Sequence, residues 1–293
     1  MFFLAVLFLF GSAIGSFLNV VSLRYQPGQK LLDLKIIGGR SACPHCRKTL
    51  KWYELIPLLS FLIQKGRCRS CGNRLSFQYP LVELLSGLIF VFVPFALYNL
   101  FVIRNSYFII QVFLWLLVFL LFLLLSIIDF RHYIIPDSIN LSLAILGIIL
   151  IIMSNVISYS SFLGHYALLF DFWPLSLVDG RWLLVIGHFS AAVIAMAFFA
   201  AIIILTRGRG MGWGDFKLVG ALGLIFGWPD IMAIVFLAFI IGAIAVAPLL
   251  LKKQKTMKDI VPFGPFLIIG ASLVFFFGYE IINGYFKLFN IYL

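Results

Sequence analysis

The feature that most constrains this chain is a series of long apolar runs that carry almost no charge. A helix needs about 20 such residues to cross a hydrocarbon core of about 30 Å. Of the 293 residues, 63% are hydrophobic and 11% are charged, whereas soluble domains have about 25% charged residues. The chain is therefore an integral membrane protein, and a soluble enzyme, a coiled coil and a disordered chain are excluded.

Eight apolar runs are candidates for membrane spans, and we predict an all-α polytopic fold of about eight transmembrane helices. The sixth run is short and glycine-rich, so a bent or re-entrant passage stays open. The predicted spans are residues 1–23, 81–102, 112–128, 139–156, 183–205, 216–226, 232–251 and 263–282. The predicted parts of the chain are a first helix (1–23), a loop (24–80) and a helical membrane domain (81–293) with an outer loop at 158–180.

The net charge of +11 comes largely from one segment, because half of the 22 Lys and Arg residues lie between Arg24 and Arg74. In a soluble protein such an excess would indicate nucleic acid as a partner. Between apolar spans it indicates a cytoplasmic loop instead, since cytoplasmic loops concentrate Lys and Arg. We therefore expect no nucleic-acid partner, and we match this charge to the anionic headgroups of the lipid bilayer. With eight spans, both termini lie outside.

All four cysteines lie in this basic loop, as two pairs that are each separated by two residues. Each pair can present two thiolates to one ion, which is typical of a closed, structural zinc site. Two disulfides or free thiols are the alternatives, but the cytosol keeps thiols reduced. We predict a structural Zn²⁺ site that folds a loop too polar to form its own core. The predicted ligands are Cys43, Cys46, Cys68 and Cys71.

Two acids stand at the ends of predicted spans, where a charge is costly and therefore indicates function. Asp129 ends the third span and Asp215 begins the short sixth span, both near the cytoplasmic boundary. Glycines before Asp215, among them Gly212 and Gly214, allow another backbone to come very close. Two carboxylates that share a site divide into an acid and a base. Activation of water on a peptide carbonyl requires that division.

Simpler interpretations of both acids stay open at this point. For Asp129 the alternative is an interfacial ion pair with Arg131 or His132. For Asp215 the alternative is a pair with Lys217 or simple capping of the helix N-terminus. Each pattern taken alone is short and weak.

Three further acids receive structural interpretations. Asp137 follows a proline at the start of a helix, where a carboxylate meets the positive end of the helix dipole, so capping is preferred. Asp230 is placed in an outer turn. Glu83 lies at the cytoplasmic end of the second span.

Five motifs together resemble a known family. Gly212-Trp-Gly-Asp215 resembles the GxGD signature of intramembrane aspartyl proteases, and with the other motifs the match narrows to the type IV prepilin peptidases. The other motifs are Gly15-Ser-Phe-Leu-Asn19-Val, the paired CxxC loop, Tyr79-Pro-Leu-Val-Glu83-Leu and Pro262-Phe-Gly-Pro265. They stand in the order expected of the family and cover nearly the whole chain. The stretch between the two aspartates is longer than usual, which we attribute to the outer loop at 158–180.

The resemblance implies a bifunctional enzyme of the bacterial inner membrane, with its active site facing the cytoplasm. Such enzymes cut the basic leader from type IV prepilins or pseudopilins after a glycine, then methylate the new N-terminus with S-adenosylmethionine. The resemblance implies that Asp129 and Asp215 are catalytic and that Gly212 and Gly214 shape the second aspartate. For the methyl donor it offers only the weak candidate Glu83. A peptidase without methylation, a transporter or channel, and a scaffold whose zinc loop docks a partner are the alternatives.

Overall fold

The computed structural model describes residues 2–29, 31, 33–100, 107–156, 180–208, 210–253 and 261–288, and they form helices joined by turns. Within these ranges the only β pairing is two isolated bridges. The helices in chain order are α1 (Phe2–Arg24), α2 (Leu34–Ile37), a 3₁₀ turn (Trp52–Glu54), α3 (Leu59–Ile63), α4 (Gln78–Leu100), α5 (Phe108–His132), α6 (Asp137–Val156), α7 (Gly180–Leu205), α8 (Trp213–Phe226), α9 (Asp230–Leu251) and α10 (Gly264–Leu288). The predicted all-α fold is confirmed.

Six helices of the described residues are long and apolar enough to cross a membrane, namely α1, α4, α5, α6, α7 and α9. The predicted sixth span is α8, whose 14 residues extend over about 21 Å, less than the hydrocarbon thickness. The predicted last span falls in α10, which has 25 residues and contains the apolar stretch Gly264–Gly278. Each predicted span thus overlaps one helix. Residues 158–179 of the predicted outer loop lie outside the described residues.

The chain forms two compact units. The first comprises Met1–Leu97 and Trp115–Ile128, and the second comprises Tyr98–Leu114 and Asp129–Leu293. The helix α5 therefore contributes to both, and its last turn belongs to the second unit.

In the first unit, α1 and α4 approach closely because small residues line their contact. A Cβ atom on Gly15 would lie 2.7 Å from Ser86 Cβ. The Ser86 hydroxyl donates a hydrogen bond to the Gly11 carbonyl at 2.7 Å, and the Asn19 amide donates to the Tyr79 carbonyl at 3.1 Å. Small residues and such bonds are typical of contacts between membrane helices. Two sequence motifs, one on each helix, therefore meet at this contact.

In the second unit, α8 packs against both α6 and α7. A Cβ atom on Gly223 would lie 2.5 Å from Ala192 Cα of α7, and one on Gly147 of α6 would lie 3.0 Å from Leu224 Cβ. Glycines thus allow the backbone of α8 to touch its neighbours on two sides. This packing fixes the position of the N-terminus of α8, where Asp215 lies.

Asp230 differs from its prediction as a residue of an outer turn. It is the first residue of α9 and is buried. Only three residues, Gly227 to Pro229, separate α8 from α9. In the first turn of α9, Ile231 is also buried whereas Met232 is 53% exposed, so the Asp230 carboxylate lies on the covered side of the helix.

Candidate active site and cysteine cluster

Asp129 lies in the last turn of α5, where the helix is closed by a left-handed residue. Tyr133 has a φ of 55°, and its N–H donates to the Asp129 carbonyl at 2.9 Å. The Asp129 side chain is only 3% exposed. Its carboxylate accepts a hydrogen bond from the N–H of Gly264, the first residue of α10. The other oxygen, Oδ2, is buried and has no hydrogen-bond partner among the described residues.

Asp215 lies in the first turn of α8 and is 9% exposed. Its Oδ2 accepts a hydrogen bond from the N–H of Gly212 at 3.3 Å, so it satisfies one of the free N–H groups at the start of the helix. Its Oδ1 is buried and has no partner within the described part of the chain. Capping is therefore part of what Asp215 does, but it occupies only one of the two carboxylate oxygens.

The two carboxylates lie near enough that the charge of Asp215 acts on Asp129. The glycine-rich approach to Asp215 makes this closeness possible. A Cβ atom on Gly214 would lie 3.1 Å from the Cβ of Ile135, six residues after Asp129. A side chain at Gly214 would push the two segments apart. This close approach of the two segments fits the prediction drawn from the glycines.

Two further contacts join the segment after Asp129 to the start of α8. The buried amide of Asn140 donates to the Gly214 carbonyl at 3.4 Å. The ammonium group of Lys217 lies 2.7 Å from Oδ1 of Asp137, and both side chains are exposed. Lys217 thus pairs with Asp137 and not with Asp215. Among the described residues, neither member of the aspartate pair belongs to a salt bridge.

The arrangement suits acid–base chemistry. Each aspartate has one oxygen fixed by a backbone N–H at a helix N-terminus, where negative charge is favoured. Each also has one buried oxygen without a partner in the described chain. Such unpaired buried oxygens are costly unless something binds there. Two neighbouring carboxylates of this kind can act as an acid and a base on one bound molecule.

The four cysteines form one cluster in the first unit. Their Sγ atoms all lie within 4.8 Å of one another, with separations of 4.0 Å for Cys43–Cys71 and 4.0 Å for Cys46–Cys68. A tetrahedral zinc with bonds of about 2.3 Å places its sulfurs about 3.8 Å apart. The sulfurs are too far apart for the disulfide alternative, whose bond is about 2.05 Å. The cluster can hold a metal ion.

The two cysteine pairs are held by equivalent turns. The N–H of Arg47 donates to the Cys43 carbonyl, and the N–H of Gly72 donates to the Cys68 carbonyl, both at 2.9 Å. The residue after the second cysteine is left-handed in each turn, with φ of 56° at Arg47 and 70° at Gly72. Glycine adopts this conformation without strain, and arginine does not.

The backbone around the second pair favours a thiolate. Hydrogen bonds from the N–H groups of Cys71 and Ser70 lower the pKa of the Cys68 thiol to about 6. The N–H of Asn73 acts in the same direction on Cys71, but burial and the neighbouring thiols outweigh it and raise the pKa of Cys71 to about 11. The sulfurs therefore compete for negative charge when no cation is bound.

Glu83 is buried in the first unit. Its Oε2 accepts a hydrogen bond from the N–H of Leu58 at 2.8 Å, and Ser16 of α1 also bonds its carboxylate. The side chain thus joins α1, α4 and the segment that leads into α3. Its predicted contact with S-adenosylmethionine stays a prediction.

Comparison with known proteins identifies the family of this chain. The family described as "Bacterial Peptidase A24 N-terminal domain" matches residues 9–97, and the "Type IV leader peptidase family" matches residues 116–247. A prepilin leader peptidase/N-methyltransferase of Bacillus subtilis is 32% identical, covering 97% of this chain and 98% of the relative. The chain belongs to the type IV leader peptidase family.

Two further relatives carry the same name. The protein of Aeromonas hydrophila is 31% identical over 97% of this chain and 93% of its own length. The protein of Legionella pneumophila is 30% identical over 97% of this chain and 94% of its own length. No solved structure matches the chain. The resemblance drawn from the motifs is therefore confirmed at the level of the family.

The sequence did not indicate the role of two residues beside the aspartates. Gly264 belongs to the motif Pro262-Phe-Gly-Pro265, which had no assigned role, and its N–H bonds Asp129. A glycine between two prolines at the start of a helix was the available signal. Asn140 gave no signal, because a polar residue in the first turn of a helix is usually solvated or a cap.

Proposed function

We propose that this chain is a prepilin leader peptidase and N-methyltransferase of the bacterial inner membrane, with Asp129 and Asp215 as its catalytic dyad facing the cytoplasm. The observation that carries the proposal is the pair of buried carboxylates, each with one oxygen fixed by a glycine N–H and one oxygen without a hydrogen-bond partner among the described residues. Membership of the family supports both leader cleavage and N-methylation.

In the proposed reaction one aspartate carries a proton and the other is ionised, because two neighbouring carboxylates do not both ionise readily. The ionised carboxylate takes a proton from water as the water attacks the scissile carbonyl. The protonated carboxyl gives its proton to the carbonyl oxygen. Collapse of the tetrahedral intermediate then breaks the C–N bond. The carboxyl that took the proton from water gives it to the leaving amine, and the other carboxylate recovers a proton from a hydroxyl group of the intermediate. The N–H groups of Gly212 and Gly264 keep the two carboxylates oriented throughout.

The position of the dyad suits a prepilin or pseudopilin substrate. Such a substrate has a basic leader followed by an apolar helix, so its scissile bond rests at the membrane surface. Asp129 lies in the last turn of α5, and Asp215 lies in the first turn of α8. With Gly212 and Gly214 beside Asp215, an extended substrate strand can approach the backbone closely.

We further infer that Cys43, Cys46, Cys68 and Cys71 hold a structural Zn²⁺ ion, because the spacing of their sulfurs fits a tetrahedral site. With four protein ligands such an ion has no open position and supplies folding free energy to its loop. S-adenosylmethionine supplies the methyl group for the second activity. Its binding residues stay unassigned apart from the candidate Glu83.

The test is cleavage of a synthetic prepilin N-terminal peptide by the purified protein, followed by mass spectrometry with and without S-adenosylmethionine. We expect cleavage after glycine, addition of one methyl group, and loss of cleavage in Asp215→Asn. Cleavage without methylation would leave a peptidase only. If the intact wild-type protein does not cleave the peptide, the proposal is overturned. The transporter and scaffold alternatives would then be tested, by ion flux in liposomes and by partner binding respectively.

A further inference from the structure

The short helix α3 exposes an apolar face. Leu59, Leu62 and Ile63 are 52%, 70% and 77% exposed. Positions i, i+3 and i+4 lie on the same side of a helix, so the three side chains form one surface. Leaving such a surface in water is unfavourable, and an exposed apolar patch of this kind marks a contact with a partner or a membrane.

Two contacts set the depth of α3 beside a membrane helix. The N–H of Leu58, the residue before α3, bonds the Glu83 carboxylate at 2.8 Å. Glu83 lies about 7.5 Å along α4 from the first residue of that helix. The ring of Phe61 within α3 lies 6.4 Å from the ring of Phe77, which directly precedes α4. The helix α3 is therefore held level with the first turns of a span.

Two basic residues closely follow the apolar face of α3 in the sequence. Lys65 and Arg67, the first two basic residues after α3, are exposed. A helix end with bulky apolar residues and neighbouring basic residues is typical of segments that lie in a membrane interface. Basic residues there are attracted to anionic headgroups.

We propose that α3 is a membrane-contacting element. Leu59, Leu62 and Ile63 insert among the lipids of the cytoplasmic leaflet, and Lys65 and Arg67 contact anionic headgroups. Lipid is the occupant, and not the prepilin or a second copy of the chain, because the bond to Glu83 holds this face at bilayer depth whether or not a protein partner is bound. The role of Glu83 in this arrangement is to anchor α3 to the span.

The test uses the full-length protein in nanodiscs of phosphatidylcholine, with and without phosphatidylglycerol. A photoreactive benzoylphenylalanine replaces Leu62 or Ile63, and the matched control carries it at Thr49, an exposed polar residue near the first cysteine pair. After illumination, mass spectrometry counts lipid adducts, and metal content shows that the loop is folded. We expect at least about fivefold more lipid adduct at Leu62 and Ile63 than at Thr49.

The charge contribution is tested in the same preparation. Phosphatidylglycerol should be enriched among the adducts of the wild-type background, and the double variant Lys65→Gln/Arg67→Gln should remove that enrichment. Lipid adducts no more frequent at Leu62 and Ile63 than at Thr49 would overturn the proposal. Crosslinks from these positions to an added prepilin peptide or to a second copy of the chain, in place of lipid, would also overturn it.

Discussion

The aspartate pair and the cysteine cluster differ in whether their side-chain atoms can still bind another molecule. Asp129 and Asp215 each leave one buried oxygen without a partner in the described chain. The four cysteines instead turn all their sulfurs toward one point, within 4.8 Å of one another. A substrate can react only where side-chain atoms are still able to bind it. A site that holds a loop folded instead uses all of its ligand atoms within the protein. In the proposed function, this difference separates the site that carries out the chemistry from the site that folds the loop.

The two sites also differ in how they are assembled. Each cysteine pair is closed by a local turn in which a backbone N–H bonds a carbonyl four residues earlier. The aspartates come from two helices that are far apart in the sequence, and the position of Asp215 depends on the packing of α8 against α6 and α7 around glycines. A fault in the cluster is therefore expected to remain local, whereas a fault in helix packing reaches the aspartates.

The largest effect on activity is expected from substitutions in the aspartate pair. Asp129→Asn and Asp215→Asn should each lower the rate of leader cleavage by about 10³-fold or more, because an amide neither accepts nor gives the transferred proton. Initial rates on a prepilin peptide, with equal amounts of inserted protein, measure this. Cleavage retained by either variant would remove that residue from the dyad.

Substitution of a ligand in the cysteine cluster should release its metal ion. Cys43→Ser and Cys68→Ser should release zinc and unfold the loop locally, since metal binding supplies much of its folding free energy. Elemental analysis of purified protein measures zinc, and limited proteolysis measures the loop. His45→Ala is the matched control, because His45 lies between two ligands and is exposed. Wild-type protein without zinc would refute the assignment of the metal.

An intermediate effect on kcat is expected from a substitution that breaks a helix contact beside the aspartate pair. Asn140→Leu removes the hydrogen bond to the Gly214 carbonyl, which at about 1 kcal/mol corresponds to a fall of roughly five- to tenfold in kcat. KM should change little, because the substrate is not the group that has lost a bond. Ser142→Ala, on the same helix but exposed, should behave as wild type. An unchanged kcat in Asn140→Leu would mean that this bond does not position Asp215.

The smallest effect is expected from the exposed ion pair. Asp137→Asn breaks the contact with Lys217, and exposed pairs of this kind contribute about 0–1 kcal/mol. Cleavage should fall by less than about threefold, and thermal stability should change little. Abolished cleavage would show that Asp137, and not Asp129, is the partner of Asp215.

The sequence predicted the cysteine cluster and the all-α membrane fold well because both are local. A pair of cysteines separated by two residues contains its own turn, and an apolar run contains its own helix. The sequence also picked out both aspartates, from their cost at the ends of spans. It missed the burial of Asp230 and the bond from Asn140 to Gly214, because both depend on which helices pack together. It found Gly264 only as part of a motif without a role.

The hydrogen bonds from Gly212 and Gly264 have a consequence for how this protein tolerates change. The groups that hold the two proposed catalytic carboxylates are amides of the main chain, which every residue except proline supplies. A scan that replaces side chains with alanine would therefore detect the two acids and leave their supports almost invisible. At these two positions we therefore expect proline, which removes the N–H donor, to impair cleavage much more than alanine does.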